Sequence, residues 1–447
     1  MKLEVSVPDR KEDVEAWLRE PGQGETVKDS RVRSVHRWKG LFVKRFKYPG
    51  LLQKIRGRLS DRAAHEFRIL EEMRRRGVEV PEPVAWARNG DSTYLFTREI
   101  PNATDLRSVP MTRPLLRSLA AFVRRIHDAG LRADDLHVGN VLVADGKLHL
   151  IDLHQSKIVG RLDDDERVRS LAFLILSFYT FVPETDVLRF IRAYGADPVR
   201  VARAFQEIRE DYYSGRQARC WKNSTGFQVS GDLILRRPFT EEAARKALSS
   251  SPVRVVKDIP NRRLLLVDGG KFVKEGARQA WVNAYGLEVR GIPTPRLHAV
   301  LGDRVVGDWI EGALPLWDHL QAKGVSREFI GRLARLVRRM HRRGVYHRDL
   351  KANNILVRGD EFYVVDLDRV DFARHVPHED CAWNLAQLNA AVGAPVTRTD
   401  RLRFFFAYAG NTRAIRMDWK RWVWEIMRNT ILRGHHWPPR QDQVGGK

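Results

Sequence analysis

The chain has 447 residues, 43% of them hydrophobic, with 79 Lys+Arg against 56 Asp+Glu and a formal net charge of +23. Such a length exceeds one ordinary core and fits two domains of about 200 residues each, and the apolar content excludes a disordered polymer. Two cysteines, Cys220 and Cys381, make neither a disulfide framework nor a metal cluster, and fit a reducing cytosol.

Met1 to Val5 leads into mixed charge, so no secretory signal is expected. The longest apolar run, Leu171 to Val182, is far shorter than the roughly 20 residues of a membrane span and reads as a buried helix. The charge calls for nucleic acid, an anionic membrane surface or a phosphorylated glycolipid as partner. No base-reading module is evident, so nucleic acid is not the expected one.

In chain order, residues 31–46 are predicted to form strands ending in Leu41-Phe42-Val43-Lys44. An insertion from Arg45 to Arg62 places Leu51, Leu52, Ile55 and Leu59 on one side of a helical segment, with Lys54, Arg56 and Arg58 around them. That pattern suits an interfacial contact with anionic lipid, and suits equally a surface helix packed on its own small lobe. A helix over 61–76 follows, carrying Glu66 where it can pair with Lys44 and ended by Val80-Pro81-Glu82-Pro83. Thr97 to Pro101 resembles a hinge. Leu119, Phe122, Val123 and Ile126 define one buried helical stripe, and His127 at its end is expected to be packed, not catalytic. Asp135-Leu136-His137-Val138-Gly139-Asn140 and Ile151-Asp152-Leu153-His154 come next, with a buried helix behind them from Arg169 to Phe178. The turn-rich stretch 213–252 holds the junction, placed near residue 225, so the domains are expected to be 1–225 and 226–447.

A constant shift of 214 residues carries Asp135, Asn140 and Asp152 onto Asp349, Asn354 and Asp366. The same shift carries Val123-Arg124-Arg125-Ile126-His127 onto Val337-Arg338-Arg339-Met340-His341, and Ala193-Tyr194 onto Ala407-Tyr408. One fold therefore occurs twice. In the second copy residues 253–274 are predicted strands ending at Lys274, and 277–290 a helix stopped by Ile292-Pro293-Thr294-Pro295. Gly307 to Gly312 forms the hinge, and Trp383 to Ala391 the buried helix. Ala280 stands opposite Glu66, so Lys274 is expected to lack that partner.

His347-Arg348-Asp349 with Asn354 has the spacing of a kinase catalytic loop, followed by the strand Tyr363-Val364-Val365 and Asp366. Phosphoryl transfer needs a carboxylate to orient the attacking hydroxyl, an amide oxygen for one metal and a second carboxylate for Mg²⁺ between the phosphates. Asp349 or Asp135 fits the first role, Asn354 or Asn140 the second, Asp366 or Asp152 the third. Lys274 or Lys44, closing an apolar strand, fits the ammonium that holds the phosphates of ATP. Lys351 matches the lysine that steadies the transferred group in serine/threonine protein kinases. The first copy has Ala133-Asp134 in place of His347-Arg348, and an acid beside Asp135 is expected to raise its proton affinity. Two active copies, one active copy beside a non-catalytic partner, and a wholly inactive binding scaffold remain open.

On these residues both halves resemble the lipopolysaccharide kinase (Kdo/WaaP) family, a branch of the protein-kinase-like fold. The resemblance implies an α+β architecture of two tandem bilobal domains, each with a small antiparallel-sheet N-lobe and a mostly helical C-lobe. It implies ATP and Mg²⁺ as cofactors, a heptose or Kdo hydroxyl of the lipopolysaccharide core as acceptor, and a place in the cytoplasm at the inner face of a bacterial inner membrane. No G-x-G-x-x-G loop, D-F-G or A-P-E is present, which separates the chain from conventional regulated protein kinases. Serine/threonine protein kinase, aminoglycoside or small-alcohol kinase, and RIO-like kinase stand as alternatives.

Overall fold

The computed structural model describes residues 2–30, 32–48, 61–260 and 262–433. They divide into two compact units, Met1–Ile208 and Arg209–Lys447. Residues 49–60, which contain most of the basic insertion, lie outside the described residues.

The first unit opens with a six-stranded antiparallel sheet, ordered β1-β5-β6-β4-β3-β2. Its strands are β1 (Lys2–Val5), β2 (Glu25–Asp29), β3 (Arg33–Trp38), β4 (Leu41–Lys47), β5 (Pro83–Asn89) and β6 (Ser92–Arg98). Successive side chains of a strand point to opposite faces. Leu41 and Val43 therefore pack with Val14 and Trp17 of α1 (Lys11–Arg19). Phe46, and with it Lys44, faces α2 (Arg62–Arg75), where Phe67 and Leu70 are buried. Asp61 starts α2 by accepting the N–H groups of Ala63 at 3.0 Å and Ala64 at 3.2 Å.

The larger part of the unit is built on α3 (Arg113–Asp128), α4 (Asp164–Phe178) and α5 (Glu184–Tyr194). Short strands β7 (Thr104–Asp105), β8 (Leu131–Arg132), β9 (Val141–Ala144), β10 (Lys147–Leu150) and β11 (Lys157–Ile158) carry the loops. Leu119, Phe122, Val123 and Ile126 of α3 are all buried, as their spacing predicts. Gly130 ends that helix with φ +75°; a Cβ there would lie 2.3 Å from the Val159 carbonyl oxygen, so only glycine fits. In the second copy a Cβ on Gly344 would lie 1.8 Å from the Ala373 carbonyl oxygen.

The second unit repeats the plan with a seven-stranded antiparallel sheet. It contains β12 (Phe227–Ser230), β13 (Leu233–Arg236), β14 (Arg254–Lys257), β15 (Leu264–Val267), β16 (Lys271–Lys274), β17 (Leu297–Leu301) and β18 (Arg304–Asp308). The compact units part at Ile208 and Arg209, inside α6 (Pro198–Gln217) and not near residue 225. Val201 and Ala204 of α6 belong to the first core, whereas Glu210 and Gln217 bond to Arg290 of the second. Continuing the numbering, α7 is Glu241–Ser249, α8 Arg278–Val289, α9 Leu316–Lys323, α10 Arg327–Arg342, α11 His378–Ala391 and α12 Arg398–Ala409.

His127 and His341 are buried, and each joins three elements of its own unit. His127 bonds the Tyr194 hydroxyl at 2.8 Å and the Ser170 hydroxyl at 3.0 Å; His341 bonds the Tyr408 hydroxyl at 2.8 Å and Asn384 Oδ1 at 3.1 Å. Burial pushes both imidazoles down to about 4. An unfolded chain takes up these protons near pH 6.5, before the folded one does, so stability is present above that pH and is lost as pH falls toward 4. Each histidine then accounts for about 3 kcal/mol. Urea titrations at pH 7 and pH 4.5 should show the midpoint falling; equal midpoints would contradict this account.

Candidate active site

In the first unit Lys44 Nζ lies 2.6 Å from Glu66 Oε1 and 3.1 Å from Asp152 Oδ1. Glu66 Oε1 also accepts the Leu153 N–H at 3.0 Å, which ties α2 to the loop carrying Asp152. Arg33 Nη1 donates to both oxygens of Asp152 at 2.8 Å, and His154 Nδ1 lies 2.6 Å from Oδ1. Burial pushes the Asp152 carboxyl up, but Lys44, the His154 hydrogen bond and Arg33 together hold it far below the usual carboxylate range. Asn140 donates from Nδ2 to the Asp135 carbonyl at 2.9 Å, and its own carbonyl accepts the Ile151 N–H at 2.9 Å. The structure thus brings Lys44, Glu66 and Asp152 into one cluster, and ties Asn140 to the loop of Asp135.

The second unit repeats this with changed parts. Asn354 Nδ2 donates to the Asp349 carbonyl at 2.8 Å, and the Asn354 carbonyl accepts the Val365 N–H at 3.0 Å. Lys351 Nζ sits 2.8 Å from Asp349 Oδ2. Burial pushes the Asp349 carboxyl up, yet the hydrogen bond and charge of Lys351 outweigh it and leave the group below its usual range. Asp349 is therefore a charged acceptor at neutral pH. Lys274 Nζ lies 3.7 Å from Asp366 Oδ1 and 2.5 Å from Asp368 Oδ2. As Ala280 implies, α8 offers Lys274 no counterpart of Glu66; Asp368 supplies a carboxylate from the loop instead.

Asp152 and Asp366 share a rare backbone, with φ +65° and +58°. Left-handed backbone at a non-glycine residue carries strain, and its recurrence at both metal-strand aspartates marks a feature that the fold maintains twice.

The loop of the second unit is braced by more side chains than that of the first, where the Val138 N–H donates to Ser177 Oγ at 3.1 Å. His347, fully buried and held neutral by burial, donates from Nε2 to the Val365 carbonyl at 3.0 Å and accepts the Asp349 N–H on Nδ1 at 3.2 Å. That ring locks the loop of Asp349 to the strand of Asp366. Buried Asn384 and Gln387 of α11 add more: Asn384 Nδ2 donates to the His347 carbonyl at 2.7 Å, Gln387 Nε2 donates to the Arg348 carbonyl at 2.7 Å, and Gln387 Oε1 accepts the Leu350 N–H at 2.9 Å. Ala133, Ser170 and Phe173 occupy the matching positions in the first unit. Asp134 turns toward Arg132 at 3.5 Å, which offsets its charge beside Asp135. His137 stands where Lys351 does, 3.7 Å from Asp135 Oδ1.

Sequence reasoning missed Arg33, Asn384 and Gln387. Two polar residues inside a stretch expected to be buried helix were the available signal for Asn384 and Gln387, since buried polar groups need partners. Arg33 had no local signal. It reaches Asp152 only because β3 pairs with β4 in the register that sets Val35 opposite Lys44.

The lipopolysaccharide kinase (Kdo/WaaP) family matches residues 10–194 and 298–408, more than half of the chain and parts of both units. The chain is similar to a 3-deoxy-D-manno-octulosonic acid kinase of Vibrio cholerae, 35% identical over 127 residues, 26% of this chain and 53% of the relative. It thus spans about half the length of that protein. It is also similar to the lipopolysaccharide core heptose(I) kinase WaaP of Escherichia coli, 24% identical over 212 residues, 40% of this chain and 80% of the relative. Among solved structures, one of WaaP in complex with acyl carrier protein aligns with 48% of this chain and 94% of its own, at 23% identity and a TM-score of 0.34. With the family match covering more than half of the chain, including Lys44, Asn140 and Asp152 of the first cluster and Asp349, Asn354 and Asp366 of the second, the chain belongs to the lipopolysaccharide kinase (Kdo/WaaP) family.

Proposed function

We propose that the protein is an ATP- and Mg²⁺-dependent kinase that phosphorylates a sugar hydroxyl of the lipopolysaccharide inner core, heptose or Kdo, and that the second unit carries the transfer. The observation that supports this most is the Asp349–Lys351–Asn354 constellation, locked by His347 to the strand of Asp366.

The donor set fits the metal. Mg²⁺ prefers hard oxygen ligands, and Asp366 offers a carboxylate while Asn354, whose amide nitrogen is engaged by the Asp349 carbonyl, offers its amide oxygen. When bound, the ion neutralises charge on the phosphate oxygens. Lys274 adds a fixed positive charge for the same phosphates. Asp349 accepts a hydrogen bond from the sugar hydroxyl and orients it for in-line attack, and Lys351 holds that carboxylate in place and faces the transferred group. Most of the acceleration in such a site comes from positioning and charge stabilisation.

The first unit reads as the non-catalytic partner. Asp152 is already satisfied by Arg33, Lys44 and His154, and the loop of Asp135 lacks the His347 brace. A location at the cytoplasmic face of the inner membrane follows from the acceptor. Among the described residues no helix is long and apolar enough to cross a membrane, and Cys220 and Cys381 are buried free thiols that burial pushes up to about 12 and about 11.

Incubating the full chain with labelled ATP and dephosphorylated lipopolysaccharide, casein or aminoglycosides tests the proposal. Label in lipopolysaccharide alone is the expected outcome. Transfer to casein or to an aminoglycoside, with none to lipopolysaccharide, would replace it by the protein-kinase or small-alcohol reading.

A further inference from the structure

Both units give the strand lysine a carboxylate partner, but from different places. Glu66 on α2 serves Lys44 in the first unit, and residue 154 beyond its metal-strand aspartate is a histidine. In the second, Ala280 stands at the position of Glu66 and Asp368 at the position of His154. Two positions have thus changed in a compensating way: an acid is missing from the helix, and an acid appears in the loop within 2.5 Å of Lys274 Nζ.

We propose that Asp368 is the positioning residue for Lys274, holding from the metal-strand side the ammonium that Glu66 holds from the helix side in the first unit. The proposal rests on the reading of the second unit as a site for nucleotide phosphates. The lysine is largely enclosed, with 21% of its side chain exposed, and Asp366 alone lies 3.7 Å away. An ammonium in such a place needs a close counter-charge to stay aimed. Asp368 is itself held: α8 places Asn283, 2% exposed, so that its Nδ2 donates to the carbonyls of Leu367 at 2.8 Å and Val370 at 3.0 Å on either side of Asp368. In the first unit the loop is anchored differently, by Glu66 itself and by a bond of 2.8 Å between His65 Nε2 and the Ser156 carbonyl. A consequence follows for control. Displacing α2 would take Glu66 from Lys44 and leave it Asp152 alone, whereas in the second unit lysine, partner and metal carboxylate do not depend on an acid from α8.

The test uses the full chain carrying Lys44→Met, so that nucleotide bound through a strand lysine reports on the second unit. Affinity for a fluorescent ATP analogue is measured with Mg²⁺ and with EDTA, alongside the unfolding midpoint. Asp368→Asn, which keeps size and shape, should weaken binding about tenfold in both conditions, the loss expected for a charged hydrogen bond, with the midpoint unchanged. Adding Ala280→Glu should restore much of the affinity. Because position 280 is buried and a glutamate there can disturb packing, the opposite exchange is made too: with Lys274→Met in place of Lys44→Met, Glu66→Ala should weaken binding and His154→Asp should recover it. Unchanged affinity in Asp368→Asn overturns the proposal, as does a loss seen only with Mg²⁺, which would make Asp368 a metal ligand, or a failure of both exchanges. Absence of nucleotide binding in the parent chain would instead remove the phosphate-site reading, and the proposal with it.

Discussion

Asp349→Asn should lower phosphate transfer by about 10²- to 10⁴-fold, the range for loss of a positioned acid–base group and about 3–5 kcal/mol in the barrier. The substitution keeps the size of the side chain and its contact with Asn354, so the fold and nucleotide affinity should stay near those of the parent. What changes is the acceptor: a neutral amide replaces the carboxylate that Lys351 keeps charged, and the sugar hydroxyl loses the group that orients it. Asp135→Asn should lower transfer far less, because the first loop lacks the ring of His347 and the amides of Asn384 and Gln387. Rates measured side by side decide this. Full turnover by Asp349→Asn with a dead Asp135→Asn would move the chemistry to the first unit.

The largest expected effect on stability lies away from the reacting groups. Arg290, with no exposed side-chain surface, donates from Nη2 to Glu210 Oε1 at 2.7 Å and from Nη1 to Gln217 Oε1 and the Gly286 carbonyl, both at 3.1 Å. Its guanidinium also lies 4.1 Å from the centre of the Phe372 ring. Burial pulls the Arg290 pKa down, and Glu210 opposes that pull. Glu210→Ala therefore leaves a cation in the interior with no carboxylate against it. Breaking a buried pair by removing one partner typically costs about 3–5 kcal/mol. Chemical denaturation of the chain should show the transition of the second unit shifted by that amount and that of the first unchanged. A shift under about 1 kcal/mol would mean that water reaches Arg290.

Much of the candidate site was legible in the sequence because its key spacing is local. Asp349 and Asn354 sit on one short loop, and Asp366 closes the hairpin that follows, so their order along the chain nearly fixes their proximity. The repeat at a constant shift then carried the same reading to Asp135, Asn140 and Asp152. Lys44 was legible as the lysine that closes an apolar strand, and Glu66 from its place on the helix that follows. What escaped was set by packing between distant segments. The Arg33 contact depends on antiparallel register, the bonds of Asn384 and Gln387 on how α11 lies beneath the loop, and the link between Asp368 and Lys274 on the loop and β16 meeting across 94 residues of chain. The boundary between units escaped for a different reason. Turn-forming residues cluster after residue 221, but the compact units part inside α6, where no proline or glycine marks the change of core between Ile208 and Arg209.

Calorimetric titration with Mg²⁺–ATP tests the duplicated phosphate site most directly. Two nucleotides should bind per chain, one lost in Lys44→Met and the other in Lys274→Met. No binding, or two sites surviving in both variants, would contradict it.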